Sequence, residues 1–217
     1  MVNTAMTEPA RKLKRSAVKN IFRFPAIKAN NGKTILVESR LESQYCLHLE
    51  FDNSVVEYIP QPKTFNLPSL SEEEVTNKYT PDFFVRYNFD RSAYIEVKPK
   101  DESETEHFND IFSRFETFLN SSSASFHVKN EEFITQQPLL KNYEALFKYR
   151  KRPSLNTQNL YQCASKIEGK RKFSEIIKEL ESSANLREVY TWLALGYLYF
   201  DMTSEVFSMN TEVKFNV

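Results

Sequence analysis

The sequence predicts an α/β protein: an antiparallel strand meander set between helices, followed by a small and mainly helical domain. Three observations carry this. Apolar residues recur at helical spacing in 40–51 and 104–120 but alternate in the segments between them, and proline or polar breaks separate these stretches. Beyond Pro153 the pattern is helical until two short β-rich segments near the end of the chain. With 217 residues, 41% of them hydrophobic and 27% charged, the chain can bury one sizeable core and a smaller second one.

Ser39 with Glu42 three residues on matches a capping box, and Leu41, Tyr45 and Leu49 follow at helical spacing, which predicts a helix over 40–51. Residues 55–59 read as a strand. Pro62 and Pro68 make 61–71 loop or irregular edge structure. Residues 78–88 and 93–98 read as two strands joined through a turn near Phe89. Over 104–120, Phe108, Phe112, Phe115 and Leu119 share one helical face, as in a helix packed on a sheet, and 126–129 reads as a further strand. Helices over 156–166, 173–181 and 186–201, then β segments at 205–207 and 212–215, give three helices and a hairpin, which suggests a winged helix. Its expected core is Ile176, Ile177, Leu180, Val189, Trp192, Leu193, Leu195 and Leu198, with the aromatic stripe Tyr190, Trp192, Tyr197, Tyr199 and Phe200 serving packing. The domains are therefore expected at 31–150 and 153–217, after an N-terminal arm over 1–30.

Net charge is zero, from 29 Lys and Arg against 29 Asp and Glu, so bulk electrostatics selects no partner. Its distribution is uneven. The arm 1–30 carries a net +6, residues 31–110 sum to −8, and 141–178 to +7. Basic flanks around an acidic centre fit either a solvated tail and linker or phosphate contact around a metal-using site. Three glycines leave no room for a phosphate-binding loop. Cys46 and Cys163 have no zinc spacing and read as buried, and His48, His107 and His127 are scattered without ligand spacing. No serine sits in a nucleophile elbow. With neither a signal-like segment nor a long apolar run, a cytoplasmic protein is expected.

The chemistry is concentrated in Pro81-Asp82 and Glu96-Val97-Lys98. Alternation places Tyr94, Glu96 and Lys98 on one face of their strand. A hairpin centred near Phe89 pairs residues whose numbers sum to about 178, which sets Asp82 opposite Glu96. Carboxylates about 5 Å apart destabilise each other unless a positive charge intervenes. A hard cation supplies it: Mg2+, or Mn2+ in its place, suits Asp82, Glu96 and the Val97 carbonyl together with a substrate phosphate. Lys98 can then orient or deprotonate the attacking water, or offset developing charge, which makes the chemistry phosphodiester hydrolysis. Glu42 stays open between a capping glutamate and a further metal ligand.

The strings Ser39-Arg40-Leu41-Glu42, Leu49 to Asp52, Val55 to Tyr58, Gln61-Pro62, Tyr79-Thr80-Pro81-Asp82-Phe83 and Glu96-Val97-Lys98-Pro99 resemble the TnsA family of transposon endonucleases. The resemblance implies a restriction-endonuclease-like PD-(D/E)xK core with Glu42, Asp82, Glu96 and Lys98 as catalytic residues. It also implies an enzyme that nicks the 5′ strand at transposon ends, working on double-stranded DNA beside a TnsB-like DDE transposase. The region beyond Pro153 would meet a TnsC-like AAA+ regulator. A stand-alone endonuclease or resolvase of the same fold, and a catalytically idle bridging module, are the competing readings.

Overall fold

Two short strands, β1 (Phe22–Pro25) and β2 (Thr34–Val37), pair antiparallel with Phe22 opposite Val37 at the start of the part of the chain that the computed structural model describes, residues 21–67, 77–120 and 122–217. Of the arm expected over 1–30, residues 1–20 lie outside the described residues, as does 68–71 of the expected loop. The first helix, α1 (Arg40–Phe51), starts as its capping box predicts: Ser39 Oγ accepts the Glu42 N–H at 3.0 Å. The Glu42 carboxylate reaches back to the Glu38 N–H at 3.0 Å. Glu50, wholly buried on α1, accepts the Ile27 N–H at 2.7 Å and the Tyr58 hydroxyl at 2.8 Å. This carboxylate ties the segment after β1 and the following strand to α1, a role no periodicity reveals.

Next come β3 (Val55–Pro60), β4 (Phe65–Leu67), β5 (Asn77–Tyr79), β6 (Phe83–Tyr87) and β7 (Ser92–Val97). They are followed by α2 (Lys100–Ser103), α3 (Glu106–Leu119), β8 (Ala124–Lys129) and α4 (Glu131–Ile134). Four strands form one sheet in the order β3-β6-β7-β8, antiparallel through β7, with β8 parallel to β7. The expected strand over 78–88 is two strands. Pro81 cannot donate to a ladder, the chain bends at Asp82, and β5 leaves to pair with β4. The β6–β7 turn holds Phe89 and Asp90 at φ 61° and 54°, and Phe83 pairs with Ile95, the register the sequence predicts.

Helices cover both faces of this sheet, so β7 is buried from Ala93 through Val97. On one face Tyr45 of α1 meets Phe83, which packs on Tyr58, with ring centroids 5.7 Å and 6.0 Å apart. On the other, Phe112, Phe115 and Leu119 of α3 pack with Tyr94, Phe126, Phe65 and Leu67.

The second compact unit begins at Gln136. It holds α5 (Leu139–Lys151), α6 (Thr157–Ala164), β9 (Arg171–Lys172), α7 (Phe173–Leu180), α8 (Leu186–Leu195), β10 (Leu198–Tyr199) and β11 (Glu212–Phe215). The division thus falls between Thr135 and Gln136 rather than near 150, because α5 packs along α8, with Tyr149 stacked on Tyr190 at 4.7 Å. Three antiparallel strands in the order β10-β11-β9 accompany the helices. The expected helix over 186–201 stops at Leu195. Gly196 adopts φ 85°, which a glycine reaches without steric cost, and the Tyr197 N–H returns to the Trp192 carbonyl at 2.9 Å. Leu198–Tyr199 is strand instead.

The strand expected at 205–207 is absent for a specific reason. Buried Asn142 of α5 donates to the Met202 and Glu205 carbonyls and accepts the Phe207 N–H, each at 2.8 Å, which uses the backbone groups a ladder would need. Ile176, Leu180, Val189, Trp192, Leu193 and Leu198 are core as expected, while Ile177 and Leu195 are half-buried. Among the described residues no helix is long and apolar enough to cross a membrane.

Candidate active site

Strand pairing and one bend build the site. The Phe83–Ile95 register brings Asp82, on the bend just before β6, beside the end of β7, and Asp82 Oδ2 accepts the Val97 N–H at 2.7 Å. Glu96 is 6% exposed and its neighbours Ile95 and Val97 are buried, so its carboxylate sits where the sheet is covered on both sides. Glu42 enters from the first turn of α1, held by its cap, and is 5% exposed.

All three carboxyls resist ionisation. Asp82 is pushed well above the usual carboxylate range by burial, then by the charges of Glu96 and Glu42. Glu96 is raised to about 7, again by burial first, against the lowering pull of the Tyr79 hydroxyl and Lys98. Burial also raises Glu42, and its hydrogen bond to Glu38 opposes that. Glu42 acts on both other carboxyls, so the structure draws it into the same electrostatic site while it also caps its helix. Of the two readings of Glu42 left open by the sequence, the capping one is seen in its hydrogen bonds.

Lys98 supplies one positive charge. Its Nζ stands 3.9 Å from Glu96 Oε1 and 3.8 Å from Glu102 Oε2, and lies 4.6 Å from the centre of the Phe108 ring. One ammonium faces Glu42, Asp82, Glu96 and Glu102, so ionising the group leaves surplus negative charge. That imbalance, with hard oxygen donors, fits a divalent cation. Among the described residues no three His, Cys, Asp or Glu side chains gather closely enough to hold an ion by themselves. Mg2+ does not require them: one or two carboxylates with water and substrate phosphate suffice.

The other predicted elements stay apart from this chemistry. His48 is buried with Nε2 2.9 Å from the Ile134 carbonyl, and His107 and His127 are exposed on α3 and β8. Cys46 and Cys163 are buried free thiols, and burial raises Cys46 well above its ordinary value. Sequence reasoning missed three participants. Tyr79 donates its hydroxyl to Glu96 Oε2 at 2.8 Å, and Glu102 and Phe108 flank Lys98. Tyr79 stands just outside the Pro-Asp pair, and Glu102 lies four residues after Lys98, the spacing of an ion pair on a helical turn.

Residues 52–175 match the protein family described as TnsA-like endonuclease, N-terminal. The match takes in Asp82, Glu96 and Lys98 and spans more than half of the chain, and Glu42 precedes it. No curated protein matches the chain.

Proposed function

This chain belongs to the TnsA-like endonuclease family, and from that membership we propose that it is the Mg2+-dependent subunit of a transposase that nicks the 5′ strand at transposon ends. The observation that carries the reading is the group Asp82, Glu96 and Lys98 at one end of a sheet covered on both faces, with two mutually repelling carboxyls and an ammonium 3.9 Å from one of them. Nuclease chemistry in a Tn7-like transposase follows from the family; the ion, the strand and the partners are the proposal.

Asp82, Glu96 and the Val97 carbonyl would hold the ion together with water and the substrate phosphate, with the Glu42 carboxylate adding negative charge nearby. When bound, a hard divalent cation supplies charge neutralisation at the scissile phosphate and acidifies water. The chain's own residues do the rest. The Val97 N–H fixes one Asp82 oxygen, Oδ2. Lys98 donates toward the phosphate or the attacking water and offsets charge developing on the phosphate oxygens. Phe108 and Glu102 keep its ammonium beside Glu96.

Under this proposal a TnsB-like DDE transposase cuts the other strand, and the second unit, read as winged-helix-like, meets a TnsC-like AAA+ regulator. Helices α6, α7 and α8 with a small antiparallel sheet, packed together with α5, support that reading of the second unit. The test maps strand breaks on transposon-end DNA with Mg2+ for wild type, Asp82→Ala and Lys98→Ala, each with and without the cognate transposase. Either substitution is expected to reduce 5′-strand nicking by about 10²–10³-fold while the assembled complex persists. Cuts without the transposase would make the chain an autonomous nuclease. An intact 5′ strand in a complex whose transposase cuts the other strand would sink the catalytic reading.

A further inference from the structure

Glu96 presents its two oxygens to different chemistry. Oε2 accepts the Tyr79 hydroxyl at 2.8 Å, whereas Oε1 stands 3.9 Å from Lys98 Nζ. The Tyr79 ring is fixed from several sides. Phe115, wholly buried, meets it at 4.8 Å with the planes 65° apart, and Phe126 at 6.4 Å and 89°. Its backbone is paired with Phe65 of β4. Tyr79 thus arrives from the small β4–β5 pair, separate in its hydrogen bonding from the sheet that carries Asp82 and Glu96.

Phenylalanine would fill the same aromatic cluster, so packing alone gives no reason for the hydroxyl. Its effect is local. A donor on Oε2 takes up one of that oxygen's lone pairs, sets the plane of the carboxylate and turns Oε1 to the Lys98 side. Outer hydrogen bonds of this kind orient metal ligands, and losing one typically lowers metal affinity or activity 10–100-fold.

We propose that Tyr79 is a positioning residue that holds the Glu96 carboxylate so that Oε1 alone is presented to the divalent cation. The inference rests on the metal-dependent reading above. It assigns the β4–β5 pair a part in building the site: displacing that pair from the sheet would release a ligand.

The test measures Mn2+ binding to the full chain from the free-ion electron paramagnetic resonance signal, for wild type, Tyr79→Phe, Glu96→Gln and Phe115→Leu. Thermal melts of each are run beside it. Tyr79→Phe is expected to weaken Mn2+ binding by about 10–100-fold. The Mg2+ concentration for half-maximal nicking should rise by a similar factor, with a smaller change in rate at saturating Mg2+. Phe115→Leu, which loosens the same cluster without touching the hydroxyl, should lower the melting temperature and leave Mn2+ binding unchanged. Wild-type affinity in Tyr79→Phe overturns the proposal. An equal loss in Phe115→Leu overturns it too, because the effect would then belong to packing. Wild-type binding that Glu96→Gln leaves untouched would overturn the metal reading itself, and this inference with it.

Discussion

Replacing Glu96 by glutamine should stabilise the metal-free protein at neutral pH. Burial, as the largest cause, raises the Glu96 carboxyl from 4.5 to about 7. Between those values the folded chain keeps a proton that the unfolded chain releases. Raising the pH through that window therefore favours unfolding, and the full penalty is present above pH 7. At about 1.4 kcal/mol per tenfold, the penalty is about 3 kcal/mol. Glutamine keeps an oxygen to accept from Tyr79 and carries no charge to desolvate. The expected pattern in EDTA is about 3 kcal/mol of stabilisation at pH 8, fading toward zero at pH 4.5. The sole tryptophan, Trp192, lies in the second unit, so fluorescence would report the wrong part of the chain. Hydrogen exchange at the amides of β6 and β7 reads the right part, with protection in Glu96→Gln about a hundredfold above wild type at pH 8. Adding Mg2+ should close the gap by stabilising wild type alone. If Glu96→Gln is less protected than wild type at pH 8, the carboxylate is a net stabilising group and the electrostatic account of the site is wrong.

Other consequences lie in the second unit. Asn142→Ala leaves two carbonyls and the Phe207 N–H without their partner, and should lower stability by about 2–3 kcal/mol in a melt followed by Trp192 fluorescence; an unchanged midpoint would mean water replaces the amide. For the basic stretch, Lys170, Arg171 and Lys172 are exposed, whereas Arg150 Nη1 donates to the Ala194 carbonyl at 2.9 Å and so has a structural task. Changing the first three to glutamine should reduce the salt slope of DNA binding by about 0.9 for each phosphate that is no longer neutralised. A wild-type slope would remove that stretch from the DNA interface.

How much of this the sequence contains differs element by element. Local chemistry wrote α1, because Ser39 and Glu42 are neighbours in the chain and their capping bonds need nothing else. It also wrote α3, from a four-residue apolar stripe, and the β6–β7 register, because a short hairpin leaves few alternatives. That register set Asp82 at the end of β7 beside Glu96, so this juxtaposition was legible from spacing alone. Lys98 followed by alternation.

The tertiary structure decided what depends on residues distant in sequence. Tyr79 reaches Glu96 only once β5 has left the line of β6 to pair with β4, and no period marks that departure. Asn142 denies residues 205–207 a strand from more than sixty positions away. Glu50 is an acidic residue that binary patterning would place on the surface, yet it is wholly buried where three donors from elsewhere converge on it. Periodicity reports the faces an element buries. The partners of a buried polar group are set by where other elements come to rest, and that information exists only in the folded chain.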